Sequence, residues 1–218
     1  TARPITIKAN DATNEYTGGT ITYATASDAV SPYYAVTNQG EKTGLAPDQE
    51  ITVATLSGEG IAATTYPITI TDGSVVISTI AGEGEEAVAT TDNYSITLQP
   101  GTLTITQSTA TIVVVPGSGS KVYDGTALTK TEHDDFTVTG VPEGFTWTAT
   151  ADGTVTNVTP GEGEKAVNAV TSFQIFNAAG EDVTNQFANI DTSATGTLTI
   201  TARPITIKAN DATNEYTG

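Results

Sequence analysis

The sequence predicts an all-β protein built from tandem β-sandwich domains, and three observations carry that prediction. The first is the alternation of apolar residues with threonine or serine at period two, the pattern of strands that bury one face. The second is spacing: roughly six or seven short strands fall in each hundred residues, separated by Gly, Pro, Asp and Asn turns. The third is repetition. The segment Thr1 to Gly18, TARPITIKANDATNEYTG, recurs letter for letter as Thr201 to Gly218, a shift of 200 residues, and a fixed period constrains architecture more strongly than any local pattern.

Taken in order, the first half offers strands at Pro4 to Lys8, Gly19 to Tyr23, Glu50 to Leu56, Tyr66 to Thr71, Val75 to Ile80, Tyr94 to Leu98 and Thr102 to Thr106. The second half offers Thr111 to Val115, Phe136 to Thr139, Phe145 to Thr150, Val155 to Val158, Val170 to Phe176 and Thr197 to Ile200. No segment has a sustained helical period; Ala24 to Ala29 and Glu181 to Phe187 read as single turns. This count and spacing fit two tandem Ig-like β-sandwich domains.

A weaker repeat sets the boundary between them. Tyr16-Thr17-Gly18 answers Tyr123-Asp124-Gly125, and a third copy begins at Tyr216, at steps of 107 and then 93 residues. Gly44-Leu45 answers Gly140-Val141, Ser57-Gly58-Glu59-Gly60 answers Pro160-Gly161-Glu162-Gly163, and GTLTIT closes each half at Gly101 and Gly196. The expected domains are therefore 1–107 and 108–201, with 202–218, the copy of 2–18, as the first strand of a further repeat. GTLTIT runs into ARPITIKA with no Gly- or Ser-rich linker, and Pro204 fixes φ at the joint, so an elongated, semi-rigid rod is expected.

Composition narrows the function classes. Eight Lys and Arg against 25 Asp and Glu give a net charge of −17, which opposes the counterion-release energetics of nucleic-acid binding and disfavours anionic membrane surfaces. No apolar run approaches the roughly 18–20 residues of a spanning helix. The absence of Cys and Met removes disulfide and thiol chemistry and suits an oxidising, exposed setting. The sequence opens at Thr1 without the segments of a signal peptide, so an export signal or wall anchor is expected outside it.

The motif order resembles a family. KVYDGTAL at Lys121, GVPEG at Gly140, FQIFNAAGEDVTNQF at Phe173 and the closing GTLTIT look like the YDG-type repeat domains of bacterial surface proteins. PITIKANDATNEYTG, TYPITI at Thr65 and DNYSITLQPGTLTIT at Asp92 resemble the related MBG-type domains. The resemblance implies tandem modules of secreted or wall-attached, adhesin-like proteins, especially of Gram-positive bacteria, and hence an extracellular, cell-surface location. It supplies no catalytic residues, and it keeps a β-grasp-like arrangement as the alternative fold. The first half departs from the pattern in reading YTG and in carrying a long stretch, Ala24 to Lys42, between its landmarks.

Candidate chemistry is sparse, and no enzyme is expected. His133 is the sole histidine, in Thr131-Glu132-His133-Asp134-Asp135; one His cannot build the usual zinc set, and no triad ordering stands out. Asp134 and Asp135 are the metal candidates, with calcium the only cofactor considered, although the DxDxDG loop is absent. The Gly-Glu-Gly motifs at Gly58, Gly82 and Gly161 lack phosphate-loop spacing and read as hairpin turns with glycines at positive φ. Carboxylate neighbours such as Glu83, Glu85 and Glu86 read as solubility devices because glycosidase acids must face each other across a cleft. Lys8 with Asn93, and Lys121 with Asn185 or Asn189, are the candidates for an isopeptide staple.

Ligand contact points to aromatic residues. Phe145 and Trp147 share one face of a strand, where Trp147 is read first as core and second as a platform for stacking sugars. Tyr33 and Tyr34, in Ser31-Pro32-Tyr33-Tyr34, are the exposed candidates. The expected role is a stalk or spacer in an adhesin-like array. The alternative is a weak adhesive module for host mucin, glycans or matrix protein, multiplied by avidity. The segment 204–208 is expected to project and to associate with a neighbouring molecule by strand exchange.

Overall fold

The computed structural model describes residues 1–23, 34–38, 44–80, 82, 86–158 and 166–218, with backbone only at 34–38. Among these the fold is all-β: no helix reaches seven residues, and the helical content is three-residue 3-10 turns at Thr91–Asn93, His133–Asp135 and Thr184–Gln186. No described helix is long and apolar enough to cross a membrane. The helix that a β-grasp arrangement lays across its sheet is likewise missing from the described residues. The chain divides into two compact units, Thr1–Thr109 with Asn185–Ala188, and Ala110–Thr184 with Asn189–Gly218.

The first unit contains β1 (Arg3–Ala9), β2 (Ala12–Glu15), β3 (Ile21–Thr22), β4 (Tyr34–Asn38), β5 (Gln49–Val53), β6 (Leu56–Ser57), β7 (Glu59–Gly60), β8 (Thr65–Ile70), β9 (Val76–Thr79), β10 (Tyr94–Gln99) and β11 (Gly101–Thr106). A three-stranded sheet runs β10-β1-β4 and a four-stranded sheet β2-β11-β8-β6, with short pairs β3-β7 and β5-β9. β1 pairs parallel with β10, Arg3 opposite Tyr94 through Lys8 opposite Gln99, and antiparallel with β4. β2 then pairs parallel with β11. Two parallel chain segments therefore pass together from one sheet into the other, at Asn10-Asp11 on one and Pro100-Gly101 on the other.

That crossing explains local sequence. Pro100 has no N–H to offer a ladder, so it sits where pairing is interrupted. At Gly101 a Cβ would lie 2.5 Å from the Ala9 carbonyl oxygen and 2.6 Å from that of Asn10, so only glycine lets the two backbones meet. The Asp11 carboxylate accepts the Thr102 N–H at 2.8 Å and holds the crossing. Beneath it Ile5, Ile7, Leu56, Ile68, Ile77 and Leu103 are fully buried, the apolar positions of the period-two strands.

The second unit contains β12 (Ser108–Pro116), whose first two residues fall in the first unit, β13 (Gly119–Val122), β14 (Leu128–Thr129), β15 (Phe136–Thr139), β16 (Thr146–Ala151), β17 (Thr154–Val155), β18 (Ala166–Phe176), β19 (Phe187–Asp191), whose first two residues are likewise assigned to the first unit, and β20 (Thr195–Thr201). Its sheets run β15-β12-β19 and β13-β20-β18-β16, with a short β14-β17 pair. β13 is parallel to β20, so the plan of the first unit returns. Gly196 occupies the place of Gly101, with a Cβ position 2.2 Å from the Gly117 oxygen, and Ser118 accepts the Thr197 N–H as Asp11 accepts that of Thr102. The two tyrosine landmarks also coincide: Tyr16 N–H donates to Thr106 O and Tyr123 N–H to Thr201 O, each at 2.9 Å. The core here is Ile112, Val114, Ile175, Leu198 and Ile200.

Two sequence expectations need correction. The strand expected over Glu50 to Leu56 breaks at Ala54-Thr55, which separates β5 from β6. Gly58 and Gly60 are not at positive φ; a Cβ at Gly60 would fall 2.2 Å from the Tyr66 ring, so the Gly-Glu-Gly there makes room for an aromatic side chain. The segment 202–218 has no strand pairing and is exposed throughout. The helical turn expected at Ala24 to Ala29 and the Gly161 motif lie outside the described residues, as do Glu83 and Glu85.

Candidate functional site

The YDG motif builds a turn. Asp124 accepts Lys121 Nζ at 2.8 Å, the Thr126 N–H at 2.9 Å and the Thr126 hydroxyl at 2.8 Å. Lys121 also donates to Thr126 Oγ1 and to the Ala127 carbonyl, and Gly125 takes φ of 84°, a left-handed value that favours glycine. Gly18 has the same conformation at 85°, so the YTG of the first half keeps the turn and loses its carboxylate. With its amine held in this turn, Lys121 has partners other than Asn185 or Asn189.

The Lys121 ammonium and the Thr126 donors hold the Asp124 carboxyl well below the usual carboxylate range. Hydrogen bonds similarly lower Asp11, chiefly through the Thr102 N–H, and Asp182 through the Thr184 hydroxyl. A depressed folded-state pKa means the unfolded chain binds more protons, so this stability is complete above the unfolded value near 4 and is lost as pH falls through the folded value. Asp124→Asn should therefore melt below the unsubstituted protein at pH 7, with the gap closing as pH drops from about 4 toward 2. Melting curves across that range check the sign.

Trp147 and its surroundings form the most differentiated surface. Trp147 on β16 lies opposite Ile175 on β18, and opposite residues share a face, so the indole is on the buried side of the sheet. β16 is the edge of that sheet, and the ring is only half-buried. The His133 imidazole, from the His133–Asp135 turn, stacks on it with centroids 4.1 Å apart and planes at 13°. Phe173 adjoins at 6.3 Å. The sequence offered core or open platform; the structure gives a marginal core residue with an imidazole laid on one face.

A shallow groove of about 260 Å³ continues from Phe173 and is lined by Val170, Thr171, Ser172, Thr184, Ile190 and Thr192. A register shift between Thr150 and Ala151 produces part of it: Ser172 pairs with Thr150 and Val170 with Ala151, so Thr171 bulges. Thr150 Oγ1 lies 2.8 Å from Thr171 Oγ1 and 2.7 Å from Ser172 Oγ. Thr150 and Ser172 alternate with Trp147 and Phe173 along their strands, so this pair of hydroxyls lies on the other face of the sheet from the rings.

The other candidates are dispersed. Asp135 accepts Lys130 Nζ at 2.8 Å and the Glu132 N–H at 3.1 Å, which depresses its pKa, while Asp134 is fully exposed and meets only His133, at 3.4 Å. The pair does not converge on a calcium ion, and among the described residues no three His, Asp or Glu side chains come together. Lys8 pairs with Asp11 at 3.3 Å. It stands opposite Gln99, whereas Asn93 precedes Tyr94 at the other end of the same parallel pair, roughly 20 Å away at the strand rise. The expected Lys8–Asn93 staple is therefore out of reach. Tyr33 and the side chain of Tyr34 lie outside the described residues.

Asn168 is a structural residue that strand periodicity does not reveal. This fully buried side chain on β18 donates to Gly117 O at 3.0 Å and Lys130 O at 2.9 Å, and accepts the Gly153 N–H at 2.9 Å. It ties three loops to one strand. The available signal was a polar residue inside the run Ala166-Val167-Asn168-Ala169-Val170. Comparison with protein families, curated proteins and solved structures finds no match to this chain.

Proposed function

We propose that the chain is a repeat segment of a secreted or wall-attached bacterial surface protein, each unit an Ig-like sandwich module, acting as a semi-rigid stalk or spacer in an adhesin-like array. One observation carries this reading. The residues repeated between the two halves go into strand crossings, turns and core: Gly101 and Gly196 at the crossings, Gly18 and Gly125 in the turns, Leu103 and Leu198 in the core. Repetition preserves a building plan, and no catalytic role is assigned to any residue. Net charge of −17 supports an extended role, since like-charged rods repel and exposed strand edges stay apart. Small-angle scattering of one, two and three 200-residue units tests it: a constant length increment per unit is expected, whereas coil-like growth with the square root of unit number would defeat the stalk reading.

The groove lined by Phe173, Thr171, Ser172, Thr184 and Thr192, with Trp147 near Phe173, favours a second reading, a low-affinity module for mucin, glycans or matrix protein that acts by avidity. Binding to such an array should rise steeply with unit number and fall when Trp147 is changed to Ala. Silence of the tandem across the array leaves the spacer role alone.

A further inference from the structure

Three Asp-Gly pairs punctuate the chain, Asp72-Gly73, Asp124-Gly125 and Asp152-Gly153, and the fold treats them differently. With no Cβ on the second residue the peptide nitrogen is unshielded, so in an open chain the three pairs share one intrinsic chemistry. Asp124 is tied down: its carboxylate accepts Lys121 Nζ at 2.8 Å, the Thr126 N–H at 2.9 Å and the Thr126 hydroxyl at 2.8 Å, and these donors hold it in the ionised form. In the third pair both reacting groups are engaged. The Asp152 carboxylate accepts the Ala169 N–H at 3.2 Å, and the Gly153 N–H donates to the fully buried Asn168 Oδ1 at 2.9 Å. A Cβ at Gly153 would stand 2.4 Å from that same oxygen, so the backbone there has no room to turn. Asp72 and Gly73 are exposed, and among the described residues neither the Asp72 carboxylate nor the Gly73 N–H has a hydrogen-bond or ionic partner. They are the two central residues of a turn closed by the Ser74 N–H on Thr71 O at 3.1 Å, with Gly73 at φ of 73° and open space where its Cβ would be.

We propose that Asp72-Gly73 is a spontaneous modification site, where aspartate converts through a cyclic imide to isoaspartate while the fold holds back the other two pairs. In the first step the Gly73 amide nitrogen bonds to Cγ of the protonated Asp72 side chain, the Cγ–OH bond breaks, and the hydroxyl leaves with the amide proton as water. A second water then opens the five-membered ring. Cleavage between nitrogen and Cγ restores aspartate. Cleavage between nitrogen and the former main-chain carbonyl leaves the chain running through Cβ and Cγ, longer by one carbon, with a free α-carboxylate. The position gives this change a consequence. The turn carries the chain from β8 to β9, strands of different sheets, and Thr55 fastens both its sides: the Thr71 N–H donates to Thr55 O at 2.8 Å, and Ser74 Oγ accepts the Thr55 N–H at 3.1 Å. Ile70 and Val75, which flank the turn, are buried. A lengthened main chain between Thr71 and Ser74 no longer fits that clasp, so isomerisation loosens the first unit and leaves the second intact. The chemistry holds whether the chain serves as a stalk or as an adhesive module.

The test ages the full chain at neutral and mildly acidic pH, folded and in parallel in concentrated urea, and locates isoaspartate by peptide mapping with electron-transfer fragmentation. In the folded protein isoaspartate should accumulate at Asp72 at least about tenfold faster than at Asp124 or Asp152, the factor expected where a hydrogen bond to a charged carboxylate must break before the ring closes. In urea the three rates should converge, because the protection of Asp124 and Asp152 comes from the fold. Asp72→Asn should reach the same imide sooner, by loss of ammonia in place of water. Asp72→Glu, which would have to close a six-membered ring, should stay unmodified. Both substitutions fall in an exposed turn and should leave the melting temperature of fresh protein nearly unchanged. In the aged protein, amide exchange should quicken at Thr55, Thr71 and Ser74, and the strands of the second unit should keep their protection. Equal rates at the three pairs in the folded protein would overturn the proposal, as would an Asp72 that stays aspartate when folded.

Discussion

Asn168→Ala is expected to destabilise the second unit by about 3–5 kcal/mol. The side chain is fully buried and satisfies the carbonyls of Gly117 and Lys130 and the N–H of Gly153. Truncation strands all three groups, each at a cost of about 1–3 kcal/mol where water cannot reach it. Asn168→Asp separates hydrogen bonding from packing. The carboxylate nearly matches the amide in volume yet turns two donors into an acceptor facing two carbonyl oxygens, so it should destabilise at pH 7 at least as much as alanine. Trp147 is the only tryptophan and lies in this unit, so denaturant titration followed by its fluorescence reads the effect directly. A loss under about 1 kcal/mol for both variants would show that water replaces the amide without penalty.

Gly196→Ala and Gly101→Ala should each cost about 3 kcal/mol, near the upper end of what overpacking costs. The new methyl would lie 2.2 Å from Gly117 O in one case and 2.5 Å from Ala9 O in the other. Backbone cannot rotate away as a side chain can, so the parallel segments must separate where both change sheets. Since the positions are equivalent, the two losses should be of the same order. Tryptophan emission should report the first substitution, and circular dichroism the second, whose unit has no tryptophan. A silent Gly196→Ala would mean that the crossing yields without loss of pairing.

These substitutions also mark how far the sequence could be read. Strands whose one face is buried announce themselves: Phe136–Thr139 was legible to the residue, and the PITI and GTLTIT segments nearly so. β2, reading ATNE, and β13, reading GSKV, gave no alternation. They sit at sheet edges, half-exposed or exposed on both faces, so no buried side imposes apolar residues. β5 and β6 ran together because periodicity does not register a change of partner: β5 pairs with β9 and β6 with β8. For the candidate surface, the alternation put Phe145 and Trp147 on one face, but the imidazole over Trp147 comes from a turn on another element. Lys8 and Asn93 looked compatible as first-strand and last-strand residues, until parallel pairing put them at opposite ends.

By itself, then, the sequence determined the all-β character, the 200-residue period, its division into two related halves and the identity of the two terminal segments. These are local or self-referential properties: side-chain alternation along a strand, and one stretch of letters matched to another. Tertiary structure decided which strands pair, where two segments change sheets together, why GTLTIT opens with glycine, and what the buried asparagine holds. Those depend on groups far apart in sequence, Arg3 against Tyr94 and Gly117 against Asn168, and a side chain's pattern records that it is buried without recording against what.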